Sequence, residues 1–302
     1  MRFDVVTFGS AVVDVFVDTD IAEKGKFMCY PVGAKILLKN LKFDIGGGGT
    51  NTAVAFSRLG FKTGYIGKIG DDTDGQTILK LLKKEKIKFL GKIKKNAISG
   101  YSIILDSRAH NRTILTYKGV NETLELDEIK KFSTRWLYCS SFLGKSLETQ
   151  KKLANILAKK GTKIAFNPSL YLIKRTNLLP LLKITEILIM NKEEAELLCK
   201  KNKVKGKNLL LRLHSLGPRI VVITDKNNPI KCYDGKNKYS LKPNKIKVKE
   251  RTGAGDAFAS GFVAGQIAGK SISESLKLGL KESESVIRYF GAKNNLIRMK
   301  LK

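Results

Sequence analysis

A short glycine-containing motif ends in an aspartate at the start of an apolar segment. It consists of Gly253, Ala254, Gly255 and Asp256, and the mostly apolar run 257–262 follows it. The glycines let backbone N–H groups turn toward one point, and a helix that begins there adds the positive end of its dipole. An anion is favoured at that point, and Asp256 beside it can take a proton from a hydroxyl that attacks a phosphate. The motif therefore indicates phosphoryl transfer, the alternative being a helix N-terminus capped by an ordinary aspartate.

A second glycine motif lies about two hundred residues earlier and also precedes a predicted helix. Its members are Gly46, Gly47, Gly48, Gly49, Thr50 and Asn51. The glycine backbone permits close approach of a ligand, and the Asn51 amide offers both a donor and an acceptor. This combination suits a polyhydroxyl ligand. The alternative is a flexible turn in which Thr50 or Asn51 caps the helix.

The composition is that of a globular enzyme. The chain has 302 residues with 42% hydrophobic residues, and no apolar run approaches the length of about 18 residues that indicates a membrane helix. The acidic, alternating N-terminus does not resemble a secretory signal. Four scattered cysteines suggest neither a disulfide framework nor a zinc site, and only His110 and His214 are available for histidine chemistry. We therefore expect a cytoplasmic protein without a membrane partner.

The formal net charge of +30 raises the question of a nucleic-acid partner. The lysines are spread along the whole chain in fragments typical of solvated faces, and no basic motif interleaved with aromatic residues is present. We therefore expect no nucleic-acid binding. A basic nucleic-acid-binding protein on an inactive scaffold is kept as the alternative from another functional class.

The elements that must position these motifs alternate between short apolar strands and helices. We predict strands at 4–9, 63–69, 136–140, 163–167, 186–190 and 220–224, and helices at 52–59, 75–84, 147–160, from 192, 254–268 and 272–288. This order predicts an α/β fold with a mostly parallel sheet and helices on both faces, in one domain over 1–302. Two stretches, 12–45 and 98–118, look instead like strand pairs. They predict a small β-sheet that closes over the site as a lid and that could pair with a second copy.

With both glycine motifs in this order, the chain resembles the ribokinase family, also called the PfkB carbohydrate kinases, over nearly its whole length. The resemblance implies a ribokinase-like fold and an ATP-dependent kinase that phosphorylates a sugar hydroxyl. It implies that Asp256 is the general base and that Gly253, Ala254 and Gly255 form the anion hole. It also implies that the sugar is bound by Asp14, Gly46, Gly47 and Asn51. From the residues alone, Asp14 could equally be a surface aspartate on a strand.

The same resemblance implies a nucleotide side. Asn191 and Glu194 match the family's N-x-x-E motif, which is associated with Mg²⁺ and phosphate, although the pattern also fits a capping box. Thr224 matches a nucleotide-side threonine, and Asn294 lies in a segment that resembles the one beside the adenine. Nucleoside and phosphosugar kinases of the same fold remain alternatives for the acceptor.

The chain departs from the family pattern at two places. Residues 224–229 lack the two glycines of the usual nucleotide loop, and Glu250-Arg251 replaces Asp-Thr before the second motif. In the family that aspartate contributes to a potassium site, so activation by a monovalent cation is left open. Arg251 and Arg112 could recognise a phosphate already on the substrate, or they could simply face solvent.

Overall fold

The structure is a computed structural model that describes residues 1–109 and 111–301. His110 and Lys302 lie outside the described residues, so the predicted lid stretch 98–118 is described on both sides of position 110. The strands are β1 (Arg2–Phe8), β2 (Val12–Asp18), β3 (Glu23–Lys24), β4 (Phe27–Met28), β5 (Asn40–Gly46), β6 (Thr63–Ile66), β7 (Lys68–Gly70), β8 (Lys88–Phe89), β9 (Lys92–Lys94), β10 (Gly100–Asp106), β11 (Arg112–Tyr117), β12 (Ser133–Ser140), β13 (Lys163–Asn167), β14 (Ile187–Asn191), β15 (Ile220–Asp225), β16 (Asn228–Tyr233) and β17 (Lys238–Leu241). The helices are α1 (Gly48–Arg58), α2 (Thr73–Lys84), α3 (Gly144–Ala158), α4 (Leu170–Arg175), α5 (Leu179–Leu182), α6 (Lys192–Lys201), α7 (Leu209–His214), α8 (Ala254–Ile267) and α9 (Ile272–Val286).

The main sheet confirms the predicted α/β architecture. Within the described residues its strand order is β17-β16-β15-β14-β13-β12-β1-β6-β8. All pairs from β8 to β15 are parallel, and only β16 and β17 run antiparallel to their neighbours. Parallel neighbours need crossover connections, which the helices supply. The carboxyl ends of the parallel strands therefore meet at one edge, where both glycine motifs lie.

Alternation along the central strands buries the two faces of this sheet in separate apolar cores. On β12, Leu137 and Cys139 pack with α3 to α7, whereas Trp136 and Tyr138 pack with α1, α8 and α9. Successive side chains of a strand point to opposite faces, so a strand covered on both sides is apolar throughout. The prediction of helices on both faces is confirmed.

The two stretches that broke the βα rhythm contribute a separate four-stranded sheet, in the order β11-β10-β2-β5. Its register places Asp14 opposite both Asp44 and Ser102 on one face. The other face carries Val13, Val15 and Val17 of β2, which pack against apolar side chains of β10. The small sheet thus has one apolar face and one mixed face that carries the carboxylates. Its action as a lid and the one-domain assignment stay predictions.

Several short elements had no counterpart in the expected pattern. They include helices α4, α5 and α7 and the hairpin β16–β17. The segment that lacks the family's nucleotide-loop glycines turns directly from β15 into β16, with Lys226 at a positive φ of 50°.

Among residues 1–109 and 111–301, no helix combines the length and the hydropathy that a membrane crossing requires.

Candidate active site

The loop before α8 has the backbone geometry of an anion site. Gly253 is the N-cap of the helix with φ 80°, a left-handed conformation that favours glycine. The amide of Ala254 donates to the carbonyl of Arg251 at 3.2 Å. The amides of Gly255 and Asp256 occupy first-turn positions, where a helix provides no acceptor of its own. These two amides, rather than that of Ala254, are therefore the donors available to an anion at this helix start.

The Asp256 carboxylate lies at the mouth of this loop and is only partly buried. Its Oδ2 accepts a hydrogen bond from Asn51 Nδ2 at 2.8 Å. Its Oδ1 faces the first glycine motif, since a β-carbon placed on Gly48 would lie 3.5 Å from that oxygen. Burial raises the pKa of Asp256, although the Asn51 hydrogen bond and the charge of Lys293 act in the opposite direction. A carboxylate with a raised pKa and one oxygen directed at a glycine-lined space is suited to accept a proton.

The first glycine motif packs directly against the predicted acid on β2. A β-carbon on Gly46 would lie 1.8 Å from Asp14 Oδ2, and one on Gly47, whose φ is 94°, would lie 2.4 Å from the carbonyl oxygen of Ser10. Neither position has room for a side chain. The structure thus brings Asp14, Gly46, Gly47, Asn51 and Asp256 into one site, as the sequence predicts.

Burial perturbs the pKa of Asp14 strongly. The side chain is 8% exposed, and desolvation raises its pKa to about 6 against the lowering influence of Lys293 and Ser102. Asp44 and Asp256 raise it further because they carry the same charge. Asp14 is therefore part of a coupled group of carboxylates and not an isolated surface aspartate on a strand.

Two charged residues of this site, one carboxylate and one lysine, were missed by sequence reasoning. Asp44 lies opposite Asp14 on β5, and Lys293 reaches from the C-terminal segment to the Asn51 side chain. Asp44 offered a weak signal, because it precedes Gly46 by two residues and so shares a strand face with it. Lys293 offered none, since nothing in a lysine-rich chain distinguishes a buried lysine from a solvated one.

Three of the predicted nucleotide-side residues, Asn191, Glu194 and Thr224, lie at a neighbouring part of the same sheet edge. Asn191 and Thr224 are register partners at the ends of β14 and β15. Asn191 and Glu194 form a reciprocal capping box at the start of α6, with both hydrogen bonds at 2.9 Å. Asn294 is exposed and donates to the carbonyl of Phe290. In the described part of the chain, no three His, Cys, Asp or Glu side chains form a group that could hold a metal ion.

Glu250 stabilises the loop before α8 through hydrogen bonds to its carboxylate. Its buried carboxylate accepts from the amides of Arg251 and Thr252 at 2.9 and 3.0 Å and from the Thr252 hydroxyl at 2.7 Å. The guanidinium of Arg112, on the small sheet, completes this set. Burial alone would raise the pKa of Glu250, but these donors outweigh it and lower the pKa. Arg112 is thus paired with Glu250, whereas Arg251 is exposed.

The comparison with known families decides what this arrangement is. The family model described as "pfkB family carbohydrate kinase" matches residues 2–298. The chain belongs to this family. PfkB carbohydrate kinases are ATP-dependent phosphotransferases with sugar hydroxyl acceptors, so the family, the fold and the kinase activity expected from the sequence are confirmed.

Individual relatives of this kinase cover most of its length. An uncharacterized sugar kinase of Archaeoglobus fulgidus is 31% identical over 81% of this chain and 99% of its own. A cytidine kinase of Thermococcus kodakarensis is 28% identical over 87% of this chain and 93% of its own. Among solved structures, Arabidopsis thaliana ribokinase complexed with ribose and ATP matches with a TM-score of 0.80 at 19% identity, over 98% and 96% of the two chains. That last likeness bears on the fold.

Proposed function

We propose that this kinase transfers the γ-phosphoryl group of ATP to a sugar hydroxyl, with Asp256 as the general base. The observation that carries the proposal is the meeting of three features. The Asp256 carboxylate, the acceptor-free amides of Gly255 and Asp256, and the glycine motif beside Asp14 converge on one cleft. A base, an anion hole and a polyhydroxyl site are the parts that this transfer requires.

The reaction follows from these positions. Asp14 and the backbone around Gly46 and Gly47 would hold the acceptor, and Asp256 Oδ1 would take the proton of the attacking hydroxyl. The acceptor oxygen then forms a bond to the γ-phosphorus while the bond to the β-phosphate oxygen breaks, and ADP leaves. The amides of Gly255 and Asp256 would stabilise the charge on the transferring group. No covalent intermediate with the protein is needed.

We propose that ATP binds on the side of Asn191, Thr224 and Asn294. A cleft of about 720 Å³ is lined by Lys245, Lys247 and Lys249, which precede the anion loop in the chain, and by Arg288; its charge favours a polyphosphate. For Mg²⁺, a single carboxylate at Glu194 and the polar Asn191 fit an ion that keeps most of its waters and takes its remaining ligands from phosphates. Bound there, the ion would neutralise phosphate charge.

The identity of the acceptor has a second candidate, a nucleoside. A cavity of about 450 Å³ adjoins the acceptor site and is lined in part by Ile114, Phe142, Leu143 and Tyr171. Thr116 connects the cavity to the acceptor site. It lines the cavity and lies beside Ser102 on the neighbouring strand, and Ser102 in turn lies beside Asp14. An apolar and aromatic wall is suited to a base as well as to a sugar. The similarity to a cytidine kinase supports this candidate.

Two measurements test the proposed function. Asp256→Asn should reduce turnover by about a hundredfold or more and leave ATP binding largely intact, since that is the usual size of a general-base effect. Near-normal turnover in this variant would contradict the assignment of the base. A panel of sugars, phosphosugars and nucleosides with ATP, read out as ADP release, identifies the acceptor.

The small sheet is proposed to act as a lid and to pair with a second copy in solution. Its apolar face leaves Leu41, Phe43, Leu115 and Tyr117 between 47% and 64% exposed, which favours burial against another surface. Measuring the molar mass by light scattering tests the pairing, and a monomer at micromolar concentration contradicts it.

A reducing cytoplasmic location is also proposed, supported by four free cysteine thiols.

A further inference from the structure

Lys293 is a buried cation at the centre of the proposed transfer site. The residue is 4% exposed, although it follows α9 in a segment whose next two residues are exposed. Its ammonium donates to Asn51 Oδ1 at 2.5 Å and to the carbonyl oxygen of Ile45, directly before the first glycine motif. A buried lysine is costly unless it is paired, so this placement requires compensation from the groups around it.

The compensation comes from three carboxylates on three different elements. The charges of Asp44 on β5, Asp14 on β2 and Asp256 on α8 each favour the charged form of the ammonium. A like-charged neighbour is Arg58 on α1, which is itself paired with Glu85. Desolvation outweighs the influence of the three carboxylates and lowers the pKa of Lys293 to about 8. In return, its charge lowers the pKa of both Asp14 and Asp256.

The contacts of Lys293 also determine how the Asn51 amide is oriented. An ammonium can only donate, and an ionised carboxylate can only accept. Between Lys293 on one side and Asp256 on the other, the amide therefore has one satisfactory orientation, with Oδ1 toward Lys293 and Nδ2 toward Asp256. That hydrogen bond occupies Asp256 Oδ2. The other oxygen, Oδ1, is left facing Gly48 and the acceptor space.

We propose that Lys293 is a positioning residue of the kinase reaction, which fixes Asn51 against Asp256 and keeps Asp14 and Asp256 ionised. The proposal rests on the assignment of Asp256 as the base. Without the lysine, the negative charges that remain in this space and its desolvation would keep part of Asp14 and Asp256 protonated at neutral pH. The Asn51 amide would also lose the partner that sets its orientation.

The test compares Lys293→Met with a matched control, Lys68→Met. Lys68 is equally buried, at 6% exposure, but pairs with Glu128 at 2.7 Å outside the site. For the wild type, kcat/KM should fall on the acid side as Asp14 and Asp256 become protonated and on the alkaline side near pH 8 as Lys293 loses its proton. In Lys293→Met the alkaline limb should disappear and the acid limb should move up by about one pH unit or more. Turnover at pH 7 should fall by about tenfold or more.

Lys68→Met should be less stable than the wild type but should keep the wild-type pH profile. An unchanged profile in folded Lys293→Met, or a profile shifted equally in both variants, would overturn the proposal. If Lys293→Met does not fold, the wild-type profile decides: a kcat/KM that stays flat to pH 9.5 excludes the role. Failure of the base assignment is recognised separately, because Asp256→Asn would then keep its turnover. An inactive Asp256→Asn together with a fully active Lys293→Met removes only the role of Lys293.

Discussion

Gly253 and Gly255 flank the same residue of the anion loop, yet the structure predicts opposite responses to an added methyl group. A β-carbon on Gly253 would lie 2.5 Å from the β-carbon of Ala292 and 2.7 Å from its α-carbon. Gly253 also has a φ of 80°, which L-residues with a side chain rarely adopt. A β-carbon on Gly255 would meet no atom within 4 Å, and its φ is not positive. Gly255→Ala is therefore a matched control for Gly253→Ala.

The two costs at Gly253 can be estimated separately. A left-handed conformation costs an alanine roughly 1–2 kcal/mol, and a contact this short against backbone adds about 1–3 kcal/mol of overpacking. With the usual unfolding entropy per residue, a loss of about 2–5 kcal/mol lowers the melting temperature of a chain of this length by about 3–8 °C. Gly255→Ala should be neutral or up to about 1 kcal/mol more stable, because alanine is the better helix former.

Thermal unfolding and turnover of both variants, measured side by side, test this reasoning. Gly253→Ala should lose stability and most of its activity, because its loop carries the Gly255 and Asp256 amides. Gly255→Ala should keep at least the melting temperature of the wild type. Any loss of turnover in this variant would come from the added methyl group, which lies in the space through which a phosphate would approach. Equal melting temperatures for the wild type and Gly253→Ala with full turnover, or equal destabilisation by both substitutions, would refute the geometric argument.

Two further predictions concern charged pairs around the site. Because Arg112 contacts Glu250 beneath the anion loop, Arg112→Ala should reduce turnover on free and phosphorylated sugars by the same factor, about ten- to hundredfold. A loss confined to phosphorylated sugars would instead favour phosphate recognition. Glu85 is 5% exposed and paired with Arg58 and Arg298, so Glu85→Gln should lower the free energy of unfolding at pH 7 by about 3 kcal/mol. These pairs outweigh burial and lower the pKa of Glu85, so the difference from wild type in denaturant unfolding should vanish as the pH falls through that lowered value.

The fold could be predicted because the alternation of apolar strands and helices is a local signal. Strands such as Ile220–Asp225 and helices such as Ala254–Ile267 were expected within one or two residues of their observed bounds. The short helices α4, α5 and α7 were missed, since four to six residues carry too little periodicity to be recognised. The strand pairs at 12–45 and 98–118 were expected, but their order in one sheet depends on contacts about ninety residues apart in sequence.

Part of the candidate site was likewise local. An anion loop can be predicted from Gly253, Gly255 and Asp256, because only certain residue types permit that backbone conformation. Gly46 is different, because the sequence predicts that this glycine leaves room for a ligand, whereas in the structure the Asp14 carboxylate lies where its side chain would be. Arg112 was considered as a phosphate ligand, and only the folded chain places Glu250 beside it.

The sequence by itself determined the family, the order of the elements and the residues whose backbone or carboxyl chemistry points to phosphoryl transfer. These properties depend on residue type and on neighbours along the chain. Only the tertiary structure decided that Asp14, Asp44, Asp256 and Lys293 share one partly buried space and that Asn51 connects two of them. The ionisation of Asp14, Asp256 and Lys293 depends on desolvation and on charges brought together from distant segments, and no local pattern in a chain with 57 lysines and arginines encodes either.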